Sequence, residues 1–443
     1  MFYTGAMTAP AHIVALSHDQ QDAVRATANW RDGVLVLLLF IATAFGAIHR
    51  DMDHGFDELA HASYVAYLQH SGDAWPEFAK MPMLDPTSFR FTGQANYLNH
   101  PSPYYWLMAR LGPDLEGHPE AMLAHRLINV ALDAIGFAAL IAIGLFARLP
   151  RSAFYAYIVP IACIPVLTLL AGSISNDNAA FVGGAIATLG AYQLLVSGRQ
   201  AWLLTALGGV IVASWAKFTG LLLAGGLVGG ALVWLWWHGR MPFRWIAPIA
   251  VAALVACAPY IAFIAQYGSP TPMTAGEVSK VTTEAAQYGW DRTEHLGPLG
   301  YVNHFITEFV LEWIPPWKPL SARYAALVIP IVAALCACAG ISVAIRRVAF
   351  DKATPLDVVV AAGALAFAGT FIIHVIFSYR LHVEYGWLSS AYPRYYLPLA
   401  ALLPLAGLVL LGEIRQPLAR ATLLVFLIAS PIVFRLLFEP LGS

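Results

Sequence analysis

Long apolar runs separated by short polar connections dominate this chain. Each run is long enough to cross the hydrocarbon core of a bilayer, which takes about 20 residues, and none shows the alternation of a barrel strand. Lipid offers no partner to backbone amides, so each run is predicted to be an α-helix. The pattern indicates about eleven spans, at 33–49, 121–147, 153–173, 178–196, 201–216, 218–238, 244–265, 322–346, 355–379, 393–412 and 417–437. The predicted fold class is therefore an all-α polytopic membrane protein.

Two long polar segments, 50–120 and 266–321, interrupt the spans. The first has helical spacing from Asp57 to about His70 and a second, aromatic-rich helix after Pro101, and both are typical of helices at a membrane interface. The other contains a predicted helix, Leu299 to Trp313. Residues 1–30 lack an apolar run and are predicted to be a cytoplasmic arm. Residues 31–443 are predicted to form one transmembrane domain.

Composition supports an integral membrane protein. Of the 443 residues 59% are hydrophobic, 12% are charged, and the formal net charge is −1. The mean hydropathy is +0.65. The bilayer is therefore the expected surroundings, and no nucleic-acid partner is expected. The four cysteines fall within predicted spans and are expected to be small buried side chains rather than a disulfide framework.

Lysines and arginines in the short connections predict the orientation. If the amino terminus is cytoplasmic, every short cytoplasmic turn carries at least one of them, as the positive-inside rule requires. They are Arg25, Arg31, Arg148, Arg151, Arg199, Arg240, Arg244, Arg346, Arg347, Lys352, Arg415 and Arg420. We therefore expect a multi-pass protein of the cytoplasmic (inner) membrane with its amino terminus inside.

The same topology collects the polar chemistry on the outer, periplasmic face. Ten ionisable residues from separate stretches meet there, namely Asp57, Glu58, His61, His100, Asp177, Lys217, His304, His382, Glu384 and Arg394. Ionisable groups at a membrane face are costly and indicate chemistry or ligand binding. The active site is therefore expected on the extracytoplasmic side.

An acidic pair, Asp57-Glu58, stands directly after the first span. Asp57, His61 and Tyr64 are spaced i, i+4 and i+7 and share one helix face, with Glu58 three residues before His61. One interpretation is a catalytic pair facing a cavity. The other is that Asp57 caps the helix and Glu58 complements its dipole.

Four further stretches each allow a plain structural interpretation. Asn176-Asp177 suits a helix N-cap, and His100 before Pro101 is either a turn residue or a cavity group. Lys217 interrupts an apolar stretch and has either an anionic partner or lipid phosphates within reach. Arg394 is either a phosphate ligand, because its planar fork donates two hydrogen bonds, or an interfacial anchor.

Other polar residues are less specific. The final outer loop brings Arg380, His382, Glu384 and Tyr395 close to Arg394 in sequence. The row His304, Glu308 and Glu312 has three interpretations, a solvated face, a substrate wall or a metal site, of which the solvated face is the simplest. Asp133 and His374 lie inside predicted spans, where each either pairs with another helix or joins the cavity.

The order of these motifs resembles the GT-C superfamily of polytopic glycosyltransferases. The motifs are Asp57-Glu58 with His61 after the first span, His100-Pro101 before an aromatic helix, Asn176-Asp177, Lys217-Phe218-Thr219-Gly220, and Pro393-Arg394-Tyr395-Tyr396-Leu397-Pro398. The resemblance covers most of residues 30–412. It is strongest to the bacterial branches related to the protein O-mannosyltransferases and the lipid A aminoarabinose transferase.

The resemblance implies roles for individual residues. Asp57 becomes the candidate catalytic base, with Glu58 supporting it or binding metal, and Lys217, Arg394 and Arg380 become candidate ligands of the donor phosphate. The expected cavity residues are His61, His100, Tyr64, Asn176, Asp177, His382, Glu384 and Tyr395. No cofactor is implied with certainty; a divalent metal is a further candidate, with Glu58, His61 and His100 as its ligands.

The implied function is an inverting transfer of a sugar from a polyprenyl-phosphate donor to an extracytoplasmic acceptor, in cell-envelope polysaccharide synthesis or a related modification. The sequence does not identify the sugar, the lipid or the acceptor, which is a glycan, a lipid or a protein. Two alternatives stay open: a transporter or flippase of a lipid-linked saccharide, and a non-catalytic subunit for saccharide assembly. Transporters usually place their polar residues near the midplane and often carry inverted repeats, and neither feature stands out here.

Overall fold

The computed structural model describes residues 27–49, 56–287, 295–312, 326–388 and 392–438. Its helices in chain order are α1 Trp30–Ala47, α2 Glu58–Ser71, α3 Pro103–Leu111, α4 Ala121–Phe146, α5 Arg151–Ala162, α6 Pro165–Ala171, α7 Asn176–Ser197, α8 Gln200–Ala216, α9 Phe218–Trp237, α10 Ile246–Tyr267, α11 Ala275–Gln287, α12 Pro298–Leu311, α13 Val328–Ala349, α14 Pro355–Tyr385, α15 Leu402–Glu413 and α16 Pro417–Phe438. Short 3-10 helices cover Phe78–Lys80, Phe243–Trp245 and Pro393–Leu399. Strands β1 Pro82–Leu84 and β2 Phe91–Ala95 form one antiparallel hairpin.

The chain is an all-α polytopic membrane protein, as the apolar runs predict. Among the described residues, eight helices are long and apolar enough to cross a membrane, and two bent pairs raise the number to ten. The shorter apolar helix α8 corresponds to the fifth predicted run, so all eleven runs are helical. The eighth run was predicted from residue 322, but residues 313–325 lie outside the described part of the chain. α14 extends six residues past its predicted end.

Prolines break two of the spans. α5 and α6 meet at a bend of 62°, because Pro165 at the start of α6 has no N–H to continue the helix of α5 and forces Ile164 into an extended conformation. The tenth predicted span begins as the 3-10 helix Pro393–Leu399 and turns by 58° into α15. Pro398 lies inside that 3-10 helix. The second break directs the residues around Arg394 across the bundle rather than along it.

The centre of the bundle is α7, which packs against α4, α8, α9 and the 3-10 helix Pro393–Leu399. A Cβ on Gly184 would lie 2.2 Å from the carbonyl oxygen of Pro398, so only glycine permits this approach. The close contact fixes the 3-10 helix against α7. Asp177, two turns before Gly184, is thereby held near Arg394.

Residues 56–111 form a compact layer over one end of the bundle. α2, α3, β1 and the start of α4 share an apolar cluster with Tyr260 and Phe263 of α10. The helices predicted after Asp57 and Pro101 are confirmed as α2 and α3. The face of α2 that carries Glu58, His61 and Tyr64 is buried, since each of the three is at most 2% exposed. The β-hairpin was not predicted.

The segment 266–321 contains two helices where the sequence predicted one. α12 confirms the predicted helix, while Trp313 lies outside the described residues. α11 is an additional helix whose polar residues Glu277, Lys280 and Glu284 are spaced i, i+3 and i+7. This spacing places the three side chains on one face, which lies toward the layer formed by residues 56–111 and the end of α14.

Charged residues separate between the two ends of the bundle. At one end Asp57, Asp177, Lys217 and Arg394 come together. At the other end Arg347 pairs with Asp357 and Glu413. The two groups match the predicted outer and inner sets, and the identity of the cytoplasmic end stays a prediction.

Candidate functional site

A cavity of about 410 Å³ opens where α2, α9, α11, α14 and the 3-10 helix Pro393–Leu399 meet. Its polar wall includes Asp57, His61, Tyr97, Asn99, His100, Lys217, Glu277, Lys280, Arg380, Glu384, Trp387, Tyr392, Arg394 and Tyr395. Its apolar wall includes Phe218, Leu222, Ile373 and Phe377 from α9 and α14. The cavity therefore joins charged groups to side chains of membrane-spanning helices.

Asp57 is the most highly connected anion of the cavity. Its carboxylate accepts hydrogen bonds from Arg394 at 2.7 Å, Lys280 at 2.9 Å and the Tyr97 hydroxyl at 2.9 Å. The side chain does not cap α2. The backbone of Asp57 has φ +66, a left-handed conformation that is uncommon for a residue other than glycine. The side chain is thus turned away from the helix terminus and into the cavity.

The cations around Asp57 decide its protonation state. Burial raises the pKa of a carboxyl group, but the charges of Arg394 and Lys280 outweigh burial and hold the pKa of Asp57 well below its ordinary value of 3.8. Asp57 is therefore an ionised carboxylate at neutral pH. An ionised carboxylate has the lone pairs that a general base needs.

Arg394 is buried, at 5% exposure, in the first turn of the 3-10 helix. It donates to Asp57 and to the carbonyl of Phe56 at 3.0 Å. Its Nε lies 3.8 Å from Asp177. The guanidinium also faces the rings of Tyr392 and Tyr395, at 4.9 and 5.4 Å from their centroids. These contacts fix the guanidinium at the cavity wall.

Lys217 is the single extended residue between α8 and α9. Its Nζ donates to Asp177 at 2.8 Å and lies 3.7 Å from the ring centroid of Tyr395. Of the two interpretations of this lysine, the one with an anionic protein partner is correct. The alternative of a side chain reaching lipid phosphates is wrong, because Lys217 is 7% exposed.

Asn176 and Asp177 lie behind the cavity wall rather than on it. Ser175 is the N-cap of α7 and accepts from the backbone N–H of Asp177. Asn176 donates to the carbonyl of Ala216 at 2.7 Å, which ties the start of α7 to the end of α8. Asp177 orients both Lys217 and Arg394.

Glu58 faces away from the cavity. Its two oxygens accept from Arg126 at 2.9 and 2.5 Å, and one of them also accepts from the backbone N–H of Ile174 at 2.9 Å. Arg126 in turn donates to the carbonyl of Ile48. Glu58 thus ties α2 to α4 and to the segment before α7, a structural task that differs from the catalytic one predicted for it.

His61, His100 and Tyr64 form a stacked aromatic group beneath Asp57. His61 Nδ1 is hydrogen-bonded to the Tyr105 hydroxyl at 2.9 Å, and the rings of His61 and His100 lie 6.3 Å apart. Tyr64 stacks on Tyr105 at 4.0 Å and donates to the carbonyl of His100. Burial lowers the pKa of His61 to about 3 and that of His100 well below its ordinary value. Both imidazoles are therefore neutral.

The candidate metal ligands do not fit a metal ion. Arg126 occupies both oxygens of Glu58, and Tyr105 occupies a ring nitrogen of His61. In the part of the chain that the structure describes, no three His, Cys, Asp or Glu side chains are grouped to hold a metal.

The predicted residues of the final outer loop divide into two groups. Arg380 and Glu384 line the cavity. His382 instead accepts a hydrogen bond from the backbone N–H of Leu296 at 2.8 Å and stacks on Tyr301. His382 therefore joins α14 to the start of α12 and is not a cavity residue.

The sequence did not single out Lys280, Tyr97, Glu277 or Arg126. The spacing of Glu277 and Lys280 on one helix face was the available signal for α11. Tyr97 and Asn99 lie just before His100, in the segment that leads into the predicted aromatic-rich helix after Pro101. Of the two unassigned residues inside spans, His374 lines the cavity and contacts the Tyr396 hydroxyl at 3.1 Å. Asp133 is fully buried.

No family model matches the chain, and no curated protein sequence matches it. Two solved structures resemble it, both of ArnT from Cupriavidus metallidurans, one bound to undecaprenyl phosphate and one in the apo state. Each is 15% identical with a TM-score of 0.34, over 86% and 85% of this chain respectively and 77% of that chain. A similarity of this size leaves the function to be inferred from the residues of the chain itself.

Proposed function

We propose that the protein is a membrane glycosyltransferase that moves a sugar from a polyprenyl-phosphate donor to an acceptor hydroxyl, with inversion at the anomeric carbon and Asp57 as the base. The observation that carries the proposal is the position of Asp57. It lies in a cavity of the membrane domain, directly against Arg394 and Lys280, with Lys217 on the same wall. A carboxylate beside several fixed cations suits a reaction that needs both a base and a site for an anionic leaving group.

The cations would bind the donor phosphate. Arg394 presents a planar fork that matches phosphate oxygens, and Lys217 adds a point charge. Asp177 holds both cations in place without lining the cavity itself. Fixed cations stabilise the negative charge that develops on the leaving phosphate without reorganising during the reaction.

The apolar wall would accommodate the polyprenyl chain. Ile373 and Phe377 on α14 are 36% and 38% exposed, and they line the cavity together with Phe218 and Leu222 of α9. Apolar side chains on a cavity wall favour contact with an apolar lipid tail, because the contact removes apolar surface from water. A lipid-linked donor can therefore place its phosphate in the polar cavity while its tail stays in the bilayer.

The proposed step moves one proton and exchanges one bond. Asp57 accepts the proton of the acceptor hydroxyl while that oxygen attacks the anomeric carbon from the face opposite the phosphate. The bond from the anomeric carbon to the phosphate oxygen breaks, its electron pair stays with that oxygen, and polyprenyl phosphate leaves. General base catalysis of this kind contributes roughly 10²–10⁴ in rate.

Donor binding also changes the base. The donor phosphate would share Arg394, which together with Lys280 neutralises Asp57 in the free protein. Because the charge of Arg394 helps to hold the pKa of Asp57 down, its engagement by phosphate would bring that pKa closer to its ordinary value. Asp57 is thus a better proton acceptor once the donor has bound.

A sugar-transfer assay on membranes that contain the protein tests the proposal. Membranes containing the protein are supplied with undecaprenyl-phosphate sugars carrying a radiolabel in the sugar, and label released from the lipid is counted. We expect Asp57→Asn to lose transfer by about 10² or more, while Asp73→Asn in an exposed turn of the same segment retains it. The proposal is abandoned if folded Asp57→Asn protein transfers as well as the wild type.

The same membranes also test the flippase alternative. That alternative is supported if the wild type transfers no sugar and the Asp57→Asn protein still moves the sugar-lipid across the bilayer.

A further inference from the structure

Glu277 is a cavity carboxylate that has no role in the proposed transfer step. It lies in the first turn of α11, and its Oε2 accepts a hydrogen bond from Asn99 Nδ2 at 3.1 Å. The same Nδ2 donates to the carbonyl of Pro272 at 2.9 Å. Both side chains line the cavity. Among the described residues no cation lies within ion-pair distance of Glu277.

The backbone around Glu277 is built to hold this position. A Cβ on Gly276 would lie 2.6 Å from the carbonyl oxygen of Asn96 and 2.7 Å from that of Ala95. Only glycine therefore allows the start of α11 to pack on the strand that leads to Asn99. The backbone N–H of Glu277 also donates a hydrogen bond to Thr274 Oγ1 at 3.0 Å.

The contacts of the cavity place Glu277 at one end of a row of charges. Lys217 contacts Asp177, Asp177 approaches Arg394, Arg394 binds Asp57, and Asp57 binds Lys280. Lys280 and Glu277 are neighbours on one face of α11, with Cβ atoms about 5–6 Å apart. Since the donor phosphate is assigned to the end with Lys217 and Arg394, Glu277 lies beyond Asp57, where the acceptor must approach.

We propose that Glu277 and Asn99 bind the acceptor, and that the acceptor presents uncharged sugar hydroxyls there rather than a phosphate or a carboxylate. This inference rests on the function proposed above and names its acceptor class as a neutral saccharide. A carboxylate accepts two or more hydroxyl hydrogen bonds, and a neighbouring amide supplies both donor and acceptor groups.

Electrostatics disfavours the two charged classes. An anionic acceptor group at Glu277 would meet a second anion in a cavity that already holds the donor phosphate. A cationic group is disfavoured because burial raises the pKa of Glu277 to about 7. Near neutral pH the side chain is then uncharged for a large part of the time, and an uncharged carboxyl group still exchanges hydrogen bonds with hydroxyls.

Binding measurements separate this inference from the proposed function. The full-length protein in detergent is first titrated with undecaprenyl phosphate and then probed by saturation-transfer NMR. The probes are the methyl glycosides of glucose, mannose and galactose, with glucose 1-phosphate and methyl glucosaminide as charged competitors. Failure of the wild type to bind undecaprenyl phosphate would reject the proposed function. Binding of that lipid without binding of any neutral glycoside would reject only the present inference.

Two variants of Glu277 and one control complete the test. Glu277→Ala should weaken binding of the neutral glycoside by about tenfold or more, and Glu277→Gln, which keeps one acceptor oxygen, should weaken it less. The exposed Glu77→Gln should have no effect, and thermal melts confirm that each variant is folded. The inference is overturned if Glu277→Ala binds the glycoside like the wild type, or if either charged competitor binds better than every neutral glycoside.

Discussion

Asp57 and Arg394 lie 337 positions apart in the sequence and form an ion pair of 2.7 Å inside the cavity. Arg394 is 5% exposed. Because the pair is buried on this side, removing either partner should strongly destabilise the folded protein. The pair also means that, without a donor, the proposed base occupies the proposed phosphate ligand. Donor phosphate and Asp57 therefore compete for the same guanidinium.

This competition predicts that Asp57→Asn binds undecaprenyl phosphate more tightly than the wild type, although it loses transfer. The amide no longer neutralises Arg394, so the guanidinium is available to the phosphate. We expect a decrease in Kd of about tenfold, equivalent to about 1.4 kcal/mol. A fluorescence titration with the lipid measures it. An increase in Kd would show that the carboxylate supports donor binding rather than opposing it.

Arg394→Ala should weaken undecaprenyl phosphate binding by about 30-fold or more, since truncating one partner of a buried charge pair costs about 2–5 kcal/mol. Arg394→Lys should recover only part of the loss, because an ammonium lacks the planar fork. The exposed Arg90→Ala is the matched control. Equal lipid affinity of Arg394→Ala and Arg90→Ala would exclude Arg394 as a phosphate ligand.

Glu58→Gln should destabilise the protein without removing catalysis. The substitution removes the negative charge of Glu58 from its buried ion pair with Arg126, and breaking such a pair costs about 3–5 kcal/mol. Thermal melts in detergent should show a lower Tm, whereas transfer per folded molecule should stay close to that of the wild type. Glu77→Gln, at an exposed pair with Lys80, should leave the Tm unchanged. If the Glu58→Gln protein is as stable as the wild type but inactive, Glu58 has the catalytic role that the sequence predicts.

Lys217 and Asp177 should behave as a coupled pair. Asp177→Leu removes the counter-charge of Lys217, and Lys217→Met leaves Asp177 with its 3.8 Å contact to Arg394. We expect each to lower stability by about 3–5 kcal/mol. The double variant should lose less than the sum of the two, with a coupling energy of about 0.5–3 kcal/mol. Thermal melts of the four proteins give the cycle. If the stability losses of the two single variants simply add up in the double variant, the 2.8 Å contact contributes nothing to stability.

Glu277 predicts a pH dependence of stability. In the folded protein its pKa is raised to about 7 by burial, against 4.5 in the unfolded chain. Between these values the folded state retains a proton that the unfolded state has released, so the contribution of this group to stability decreases as the pH rises. The Tm of the wild type should therefore fall relative to that of Glu277→Gln from about pH 4.5 to pH 7. Parallel Tm curves over this range would contradict the raised pKa.

The sequence by itself determined the membrane helices and the segregation of charges. A span depends on the length of an apolar run against the thickness of a bilayer, which is a local property. For the same reason α2, α3 and α12 could be predicted from spacing. The residues Asp57, Lys217 and Arg394 were found because an ionisable group in an apolar chain stands out without knowledge of its partner.

Only the tertiary structure decided which acidic neighbour faces the cavity. Asp57 precedes α2 and has a left-handed backbone, whereas Glu58 is the first residue of the helix, so the two side chains point to different surroundings. Their partners Arg394 and Arg126 come from distant parts of the chain. The proline break before α15 turns Arg394 toward Asp57, and α11 supplies Lys280 and Glu277 from a segment that the sequence left unassigned. These contacts depend on how helices pack, and packing joins residues that no local pattern relates.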